Sequence, residues 1–409
     1  MEKKHNISDL YQMQSLPLSE KIQMTRRRIN EWVEEYGSDG VYVSFSGGKD
    51  STVLVDIVRN ICGYKDIPLV FVDVPTQYPE LKQFVQTFDN IEILKPKISF
   101  AEVCSKYGFP LISKEVSESV YGAKRYLTKL LEENAQLLTD RQTDSYRISI
   151  TTKNSQEQEN IVDYEELANL LNKRMKSRCG GNNQRLAIML GMLTTCKEEP
   201  IKANIPSEYK SQFSQERYEF LLYSKFDISN KCCNVMKKEP AHRFFRQTRR
   251  KPITATMAIE SKLRTQKWLQ NGCNGFNLTI PTSNPMSFWT EQDVLLYIKQ
   301  NNLPICSVYG DVVIDYLKMG QCENQMSFAD YGIFDNERPL LKTTGCQRTG
   351  CVLCGFGCHL EKEPNQRFVN LKKTHPKFHN LLYVLKNNGV TYAEAIDWVN
   401  EHGGFDIKY

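Results

Sequence analysis

The stretch that decides the fold is Gly40-Val41-Tyr42-Val43-Ser44-Phe45, followed directly by Ser46-Gly47-Gly48-Lys49-Asp50-Ser51. The first six residues predict a short strand, because β-branched and aromatic side chains favour strands. Beyond the glycines, Val53, Leu54 and Ile57 recur at helical spacing and predict a helix. The segment therefore predicts an α/β unit in which a glycine turn joins a strand to a helix.

The pattern continues outward from this unit. Residues 68–73 and 91–94 predict two more apolar strands, with a helix between them. Strands that alternate with helices indicate a parallel sheet covered on both faces. Further strand signals occur at 252–256 and 276–280, and residues 290–298 predict a helix with a start like a capping box.

We therefore predict an α/β fold: a doubly wound, mostly parallel sheet with a helical insertion and a cysteine-rich C-terminal region. The first part of the core is expected at residues 1–112, the insertion at 113–228, the second part of the core at 229–304, and the cysteine-rich region at 305–409. The insertion has Lys/Glu-rich stretches that predict helices at 124–138, 161–176, 184–196 and 209–223. Its polar segment 139–160 is expected to be an exposed connection.

Composition narrows the class of protein. The chain has 409 residues, a formal net charge of +5 and 13 cysteines; it is 40% apolar and 25% charged, which excludes a disordered tail or a coiled-coil rod. It has no apolar run of about 18 residues and no apolar segment near the start, so we expect neither a membrane span nor a secretory signal. An odd number of cysteines argues against a disulfide framework. We expect reduced thiols in the cytoplasm that are available for metal binding or catalysis.

The glycine turn has features of a phosphate site. Gly47 and Gly48 would let the backbone approach an anion closely, and the N–H groups at a helix start favour phosphate. Lys49 could add charge, and Ser46 and Ser51 could donate hydrogen bonds. It is not a Walker A loop, which would need glycine at 43 and Ser/Thr at 50. The alternative is an ordinary strand-to-helix turn with an Asp/Ser cap.

Two segments resemble a known family. Ser-Gly-Gly-Lys-Asp-Ser after a strand is similar to the PP-loop of the adenine-nucleotide α-hydrolase superfamily. Asp73 with Tyr78-Pro79-Glu80 resembles the "D-T-x-x-x-F-P-E" segment of phosphoadenosine-phosphosulfate (PAPS) reductases. The resemblance implies that residues 46–51 and Asp73 bind ATP, adenylyl sulfate (APS) or PAPS together with Mg²⁺. It also implies that Lys49 and Asp50 take part in catalysis.

A third segment, residues 255–264, resembles the family element "G-x-R-x-x-E/Q-S-x-x-R", which contacts the phosphate or sulfate groups of the nucleotide. The resemblance implies this role for Glu260, Ser261 and Arg264. Ala255 replaces the glycine and Met257 replaces the first arginine. The loss of that cation argues against carrying PAPS itself over to this chain.

Two cysteine pairs resemble motifs of the iron–sulfur APS reductases. Residues 231–240 match "C-C-x-x-x-K-x-x-P" and residues 350–354 match "G-C-x-x-C". The resemblance implies that one [4Fe–4S] cluster is bound by Cys232, Cys233, Cys351 and Cys354, and thiolates suit such sites. Two alternatives stay open. Zinc or a cluster could occupy a local site formed by Cys346, Cys351, Cys354 and Cys358, or the adjacent pair could be ordinary buried thiols. The core is expected to contain Cys62, Cys104, Cys179 and Cys306.

A basic window lies between these motifs. Residues 237–251 contain seven Lys/Arg and one acid, Glu239. Such a run is ordinarily a solvated helix face. Its position also suggests attraction of a polyanionic substrate. Phe244 and Phe245 within it could stack on bases or belong to the core.

The reaction itself is less well specified. PAPS and APS reductases use a cysteine in an "E-C-G-[I/L]-H" tail, whereas the last cysteine here is Cys358. We hypothesise an ATP-dependent, adenylylating sulfur transfer by a PP-loop ATP pyrophosphatase, with nucleic acid as candidate acceptor, as in DNA phosphorothioation or tRNA thiolation. A sulfur-donor protein such as a cysteine desulfurase is a candidate partner. The alternatives are an APS/PAPS reductase that uses Cys358 or Cys346 as nucleophile, and a non-catalytic nucleotide-sensing or partner-binding subunit.

Overall fold

The computed structural model describes residues 5–133, 145–151, 157–163, 171, 185–186, 189, 215–315 and 340–409. In chain order its helices are α1 (Ile7–Ser15), α2 (Leu18–Tyr36), α3 (Lys49–Asp56), α4 (Pro79–Val85), α5 (Phe100–Tyr107), α6 (Lys114–Glu133), α7 (Lys231–Cys233), α8 (Glu239–Thr248), α9 (Lys262–Asn271), α10 (Glu291–Gln300), α11 (Arg367–Thr374), α12 (Pro376–His379) and α13 (Tyr392–Gly403). Its strands are β1 (Val41–Ser44), β2 (Leu69–Val72), β3 (Ile91–Leu94), β4 (Leu111–Ile112), β5 (Ser145–Thr151), β6 (Glu157–Asp163), β7 (Lys251–Ile253), β8 (Asn274–Gly275), β9 (Thr282–Ser283), β10 (Val312–Ile314), β11 (Leu341–Thr343), β12 (Gly355–Phe356), β13 (Lys386–Asn387) and β14 (Val390–Thr391).

The chain divides into two compact units, and each is built from two chain segments. The first unit comprises Met1–Lys97 and Lys237–Cys351, and the second comprises Ile98–Met236 and Val352–Tyr409. The chain thus passes between units after residues 97, 236 and 351, whereas the sequence predicted divisions after 112, 228 and 304.

The first unit contains a six-stranded sheet in the order β3-β2-β1-β7-β9-β8. Strand β1 is central and pairs in parallel with β2 and β7, and β2–β3 and β7–β9 are also parallel. Only β8, at the edge of this sheet, runs antiparallel to its neighbour. The predicted α/β fold with a mostly parallel sheet is confirmed.

Alternate side chains of the central strands point to opposite faces of this sheet. Both faces are covered by packed side chains. Val43 and Phe71 belong to the large core that also contains residues of α2, α3 and α10. Their sequence neighbours Tyr42 and Val70 pack instead against Phe244 of α8. Tyr42 and Phe244 meet edge to face, with 5.1 Å between ring centroids. Of the two alternatives for Phe244, a place in the core is therefore confirmed.

Helix ends follow their sequence signals in the first unit. Helix α2 ends at Gly37, which caps it with a positive φ of 74°. Thr290 and Asp293 form the capping box that starts α10, as predicted. The strand predicted at 276–280 is wrong, because the ladder of β8 ends at Gly275 and residues 276–280 form turns and bends. Asn277 favours a turn over extended pairing, and it lies just beyond the point where the ladder ends.

The second unit is built around helices. The 20-residue α6 begins before the stretch 124–138 and covers much of it. Part of the segment predicted as an exposed connection forms an antiparallel hairpin, β5–β6, paired from Ser145↔Asp163 to Thr151↔Glu157. Alternation of Tyr146, Ile148 and Ile150 with polar residues was the available signal. Most of the helices predicted at 161–176 and 184–196 lie outside the described residues, and Gln215–Tyr223 forms a 3-10 helix.

Two contacts hold the centre of the second unit together. Tyr392 at the start of α13 stacks on Phe109, with 4.6 Å between ring centroids. Lys124 of α6 lies 3.4 Å from a carboxylate oxygen of Asp227 and donates a hydrogen bond of 2.8 Å to the carbonyl of Phe226.

In the described part of the chain, no helix combines the length and apolar character needed to span a lipid bilayer.

Candidate functional site

The glycine turn of the first unit has a backbone that only glycine fits well. Gly47 has a φ of +72°, which L side chains rarely adopt. A Cβ there would lie 2.7 Å from Cγ2 of Val85 and 3.0 Å from Cγ of Leu81. Helix α4 therefore packs directly against the turn, and two independent constraints require glycine at position 47.

Hydroxyl groups stabilise the turn from within. The Oγ atoms of Ser46 and Ser51 lie 3.0 Å apart, and Ser51 Oγ accepts a hydrogen bond of 3.2 Å from the amide of Ser46. Ser46 Oγ also accepts from the amide of Gly48 at 3.3 Å. Helix α3 begins directly afterwards at Lys49. The start of this helix lies at the carboxyl end of β1, the usual ligand side of an open α/β sheet.

Residues 346–349, which we call the covering segment, lie against the turn although they are about 300 residues distant in the chain. The Lys49 Nζ donates a hydrogen bond of 2.9 Å to the carbonyl of Gln347. The amide of Lys49 donates at 3.1 Å to the hydroxyl of Tyr309, which lies 2.7 Å from Oγ1 of Thr349. A Cβ on Gly48 would lie 3.3 Å from both of these hydroxyl oxygens.

Backbone hydrogen bonds fix the start of the covering segment. The amides of Gly345 and Cys346 donate to the carbonyls of Tyr309 and Val308, each at 2.8 Å. A Cβ on Gly345 would lie 2.3 Å from the Val308 carbonyl oxygen, so this close approach requires glycine. Cys346 is half-buried, and its Sγ donates to the hydroxyl of Tyr78 at 3.6 Å.

Lys49 is 4% exposed and is surrounded by oxygen atoms. Its Nζ lies 3.1 Å from a carboxylate oxygen of Glu291 and 3.9 Å from one of Asp50. Burial raises the pKa of Asp50; Glu291 adds to this, while Lys49, Arg348 and Arg264 oppose it. The site therefore contains a carboxylate whose charged form is disfavoured by its surroundings.

The element predicted to contact the nucleotide forms the start of α9. Glu260 forms an ion pair with Arg264 and accepts a hydrogen bond of 3.1 Å from the amide of Met257. Ser261 caps the helix by accepting from the amide of Arg264 at 3.3 Å. Burial lowers the pKa of Arg264; the charge of Arg348 lowers it further, and Asp50 opposes this. Two guanidinium groups thus lie near each other beside the turn. Such a pair of cations favours the binding of an anion.

Two further positions of the predicted site are Asp73 and residue 257. The carboxylate of Asp73 lies 2.6 Å from Nζ of Lys82. Met257, which stands where the family element has an arginine, is 3% exposed and packs in the core. Position 257 therefore supplies an apolar side chain to the core rather than a cation.

The basic window has mixed surroundings. Arg243 pairs with Glu239 at 2.9 Å and donates to the Lys95 carbonyl at 2.7 Å. Arg246 and Arg249 are exposed. Part of the window thus stabilises the fold and part faces solvent.

The cysteines are divided between the two units. Cys346 and Cys351 belong to the first unit, whereas the second contains Cys232, Cys233, Cys354 and Cys358. Burial raises the pKa of the Tyr392 hydroxyl, and the charges of Cys358, Cys354, Cys104 and Cys232 add to this effect. These four thiols therefore lie near one tyrosine.

Burial also raises the pKa of Cys358, which is 4% exposed. Cys104 and Cys306 are buried, and Cys62 packs at the edge of the core, as predicted; Cys179 lies outside the described residues. Within the described ranges, no three His, Cys, Asp or Glu side chains are arranged to bind one metal ion. The two predicted cysteine sets therefore stay predictions.

Sequence reasoning missed several residues that contact the turn: Glu291, Tyr309, Gln347, Arg348 and Thr349. Of these, Arg348 and Thr349 had a local signal, since they lie between Gly345 and Gly350, immediately before a recognised cysteine motif. Glu291 and Tyr309 had none, because each lies more than 200 residues from the turn.

Comparison with known proteins agrees with the resemblance stated above. The family model described as the phosphoadenosine phosphosulfate reductase domain matches residues 40–145 and 196–355. A solved structure, the phosphate complex of phosphoadenylyl-sulfate (PAPS) reductase from Candida auris, is similar at 14% identity and a TM-score of 0.31, over 69% of this chain and 82% of that chain. No curated protein matches the chain. The family match includes both the glycine turn and the cysteine pairs, and the chain belongs to the phosphoadenosine phosphosulfate reductase domain family.

Proposed function

We propose that this chain is an ATP-dependent sulfur-transfer enzyme whose glycine turn binds the phosphate groups of the nucleotide. In the proposed reaction, an acceptor oxygen attacks the α-phosphorus of ATP and releases pyrophosphate. A sulfur nucleophile then displaces AMP from the activated acceptor. Nucleic acid is the candidate acceptor, supported by the exposed Arg246 and Arg249 of the basic window.

The observation that carries this proposal is the group of cations at the glycine turn. Lys49 lies at the start of α3. The charges of Arg264 and Arg348 both lower the pKa of the neighbouring Asp50, against the larger effect of burial. Arg264 and Arg348 also repel each other. A polyphosphate would relieve this repulsion and accept hydrogen bonds from the turn, and phosphoryl chemistry depends mainly on such positioning and charge stabilisation.

Asp50 supports the expected role of Mg²⁺. Its Oδ1 is buried and accepts no hydrogen bond from the described residues. A buried carboxylate oxygen without a donor suits a hard cation that is bound together with phosphate. Asp50 would hold the ion, which neutralises charge on the phosphates, while Lys49 would orient the leaving pyrophosphate.

Cys346 is the better candidate of the two sulfur-handling thiols. It is half-buried and directly precedes Gln347, whose carbonyl accepts from Lys49. Cys358 is deeply buried, and its raised pKa disfavours the thiolate that attacks sulfur. We therefore assign the sulfur-handling role to Cys346.

The [4Fe–4S] cluster on Cys232, Cys233, Cys351 and Cys354 stays part of the proposal on the strength of the motifs. Because the described side chains are not arranged as a metal site, no step above depends on a cluster. Metal and sulfide analysis of anaerobically purified protein tests it: about four irons per chain would support the cluster, and zinc would favour the local site.

The central experiment measures pyrophosphate release from ATP with Mg²⁺, a sulfur donor, and DNA or tRNA as acceptor. Release should depend on the acceptor and fall at least tenfold in Arg348→Gln. Lys267→Gln, which removes an exposed cation from the same helix as Arg264, is the matched control and should retain wild-type activity. Nucleotide binding without pyrophosphate release under all these conditions would refute the proposed sulfur-transfer activity. It would favour a nucleotide-sensing subunit instead.

The second candidate is an APS or PAPS reductase, favoured by the position of Cys346. Its thiolate would attack the sulfonyl sulfur and release AMP from APS, and a thiol reductant would then free sulfite. Sulfite production from APS that is lost in Cys346→Ser and retained in Cys358→Ser would establish this reaction. The absence of sulfite from both nucleotides would exclude it.

A further inference from the structure

The second unit has a basic cavity, whereas the glycine turn belongs to the first unit. Its volume is about 260 Å³, and it lies between the middle of α6 and the start of α7. The polar side chains that line it are Glu118, Tyr121, Arg125, Arg185, Asn230 and Lys231. Neither the motifs nor the proposed reaction assigns a role to this cavity.

Helix geometry explains how α6 contributes to the cavity. Glu118, Tyr121, Gly122 and Arg125 follow the i, i+3, i+4, i+7 spacing and therefore share one face of the helix. Gly122 lacks a side chain and leaves space at the centre of this face. The ring of Tyr121 is buried, and two cations lie over it.

The two cations meet this ring from different elements. The Arg125 guanidinium lies 5.3 Å from the ring centroid, and the Lys231 Nζ lies 5.6 Å from it. Arg125 also donates a hydrogen bond of 2.8 Å to the Tyr121 hydroxyl. These cation–π contacts place both positive charges at the cavity without neutralising either.

The acid at the cavity does not balance this charge. Glu118 lies 3.5 Å from Arg185 and accepts a hydrogen bond of 2.9 Å from Asn230. No carboxylate of the described residues lies within ion-pair distance of Arg125 or Lys231. Three cations therefore face one carboxylate, which leaves a formal charge of +2.

We propose that this cavity binds a doubly charged tetrahedral oxyanion, phosphate or sulfate, either free or as a monoester. A dianion matches the uncompensated charge, and Arg125 offers a planar fork that suits such oxygens. Lys231 supplies a point charge from a second element of the fold, while Gly122 leaves room for the anion. A phosphate monoester would present the same group with a substituent directed toward solvent.

The experiment is calorimetric titration of the full-length chain with inorganic phosphate, sulfate and phenyl phosphate. The background is Arg348→Gln, which weakens anion binding at the glycine turn, so that the two sites are distinguished. One saturable site should remain on this background. Lys231→Gln and Arg125→Gln, each added to it, should weaken that site at least tenfold, and Lys231→Arg should restore most of the affinity.

Lys129→Gln is the matched control, because Lys129 lies one helical turn beyond Arg125, is 66% exposed and pairs with Glu133. It should change the affinity less than twofold. Tighter binding of phenyl phosphate than of phosphate would identify a monoester site, and the reverse a site for the free anion. The proposal is overturned if no saturable binding remains, or if Lys129→Gln has the same effect as Lys231→Gln.

Discussion

The Lys49 ammonium donates a hydrogen bond of 2.9 Å to the carbonyl of Gln347, although 298 residues separate the two in the chain. This bond joins the residue that starts α3 to the covering segment. Because Cys346 and Arg348 flank Gln347, the same contact also brings a thiol and a guanidinium to the glycine turn. Four predictions follow from this arrangement and from the backbone that supports it.

Arg348→Gln should affect the protein differently with and without nucleotide. Without nucleotide, it removes a cation that repels Arg264 but attracts the carboxylate of Asp50, so the melting temperature should change little. With ATP and Mg²⁺, affinity should fall by about 10-fold to 100-fold, since hydrogen bonds to charged groups contribute about 1.5–3 kcal/mol. Thermal melts with and without ATP measure both effects. An equal loss of stability in both conditions would indicate a structural role instead.

Gly47→Ala should be far more destabilising than Gly63→Ala. Both glycines have positive φ, but a Cβ at 47 would meet Val85 and Leu81, whereas a Cβ at 63 would have open space around it. Backbone strain costs about 1–2 kcal/mol at either position, and overpacking adds about 1–3 kcal/mol at 47. Urea unfolding of both variants measures the difference, and equal losses would contradict the close packing of α4 on the turn.

Asp50→Asn should increase stability in a pH-dependent manner. Burial raises the pKa of Asp50 above its ordinary value of 3.8. At pH values between the ordinary and the raised pKa, the folded state therefore binds more protons at this carboxyl group than the unfolded state does. The contribution of Asp50 to stability therefore falls as pH rises through this window. The unfolding free energy of Asp50→Asn, relative to wild type, should grow between pH 4 and pH 7 while nucleotide turnover is lost.

The control for this prediction is Asp406→Asn, which removes a 75% exposed carboxylate. Chemical unfolding at both pH values, with each variant beside the wild type, separates the effect of the buried site from that of net charge. A pH-independent gain in Asp50→Asn would contradict the prediction.

Thiol labelling should distinguish the two candidate sulfur-handling cysteines. Iodoacetamide reacts with thiolates, so native protein should be alkylated at Cys346 well before Cys358, which is buried and has a raised pKa. Mass spectrometry of peptides from timed reactions measures the order. ATP should slow labelling of Cys346, and unfolding in urea should remove the difference. Faster labelling of Cys358 in the native protein would reverse the assignment.

Local patterns predicted the central part of the fold well. The strand, turn and helix around residues 41–56 needed only neighbouring residues, and the apolar strands beside them indicated a parallel sheet. The prediction at 276–280 was wrong because Phe276, Leu278 and Ile280 suggested a strand although Asn277 favours a turn. The hairpin β5–β6 was missed because its alternation lies in a polar segment.

The site was predictable only where its residues lie close together in the sequence. Residues 46–51 form one motif, and Glu260, Ser261 and Arg264 form another. Glu291 and Tyr309 approach the turn through tertiary packing, which leaves no local pattern in a single sequence.

The distance between the turn and its covering segment has a consequence for biosynthesis. A ribosome that has completed β1 and α3 still has to make nearly 300 residues before Gln347 can accept its hydrogen bond from Lys49. A nascent or truncated chain that ends before this point would contain the glycine motif without the hydroxyl and guanidinium groups that complete the pocket. The full set of contacts at the glycine turn can thus form only after the chain has been made as far as residue 349.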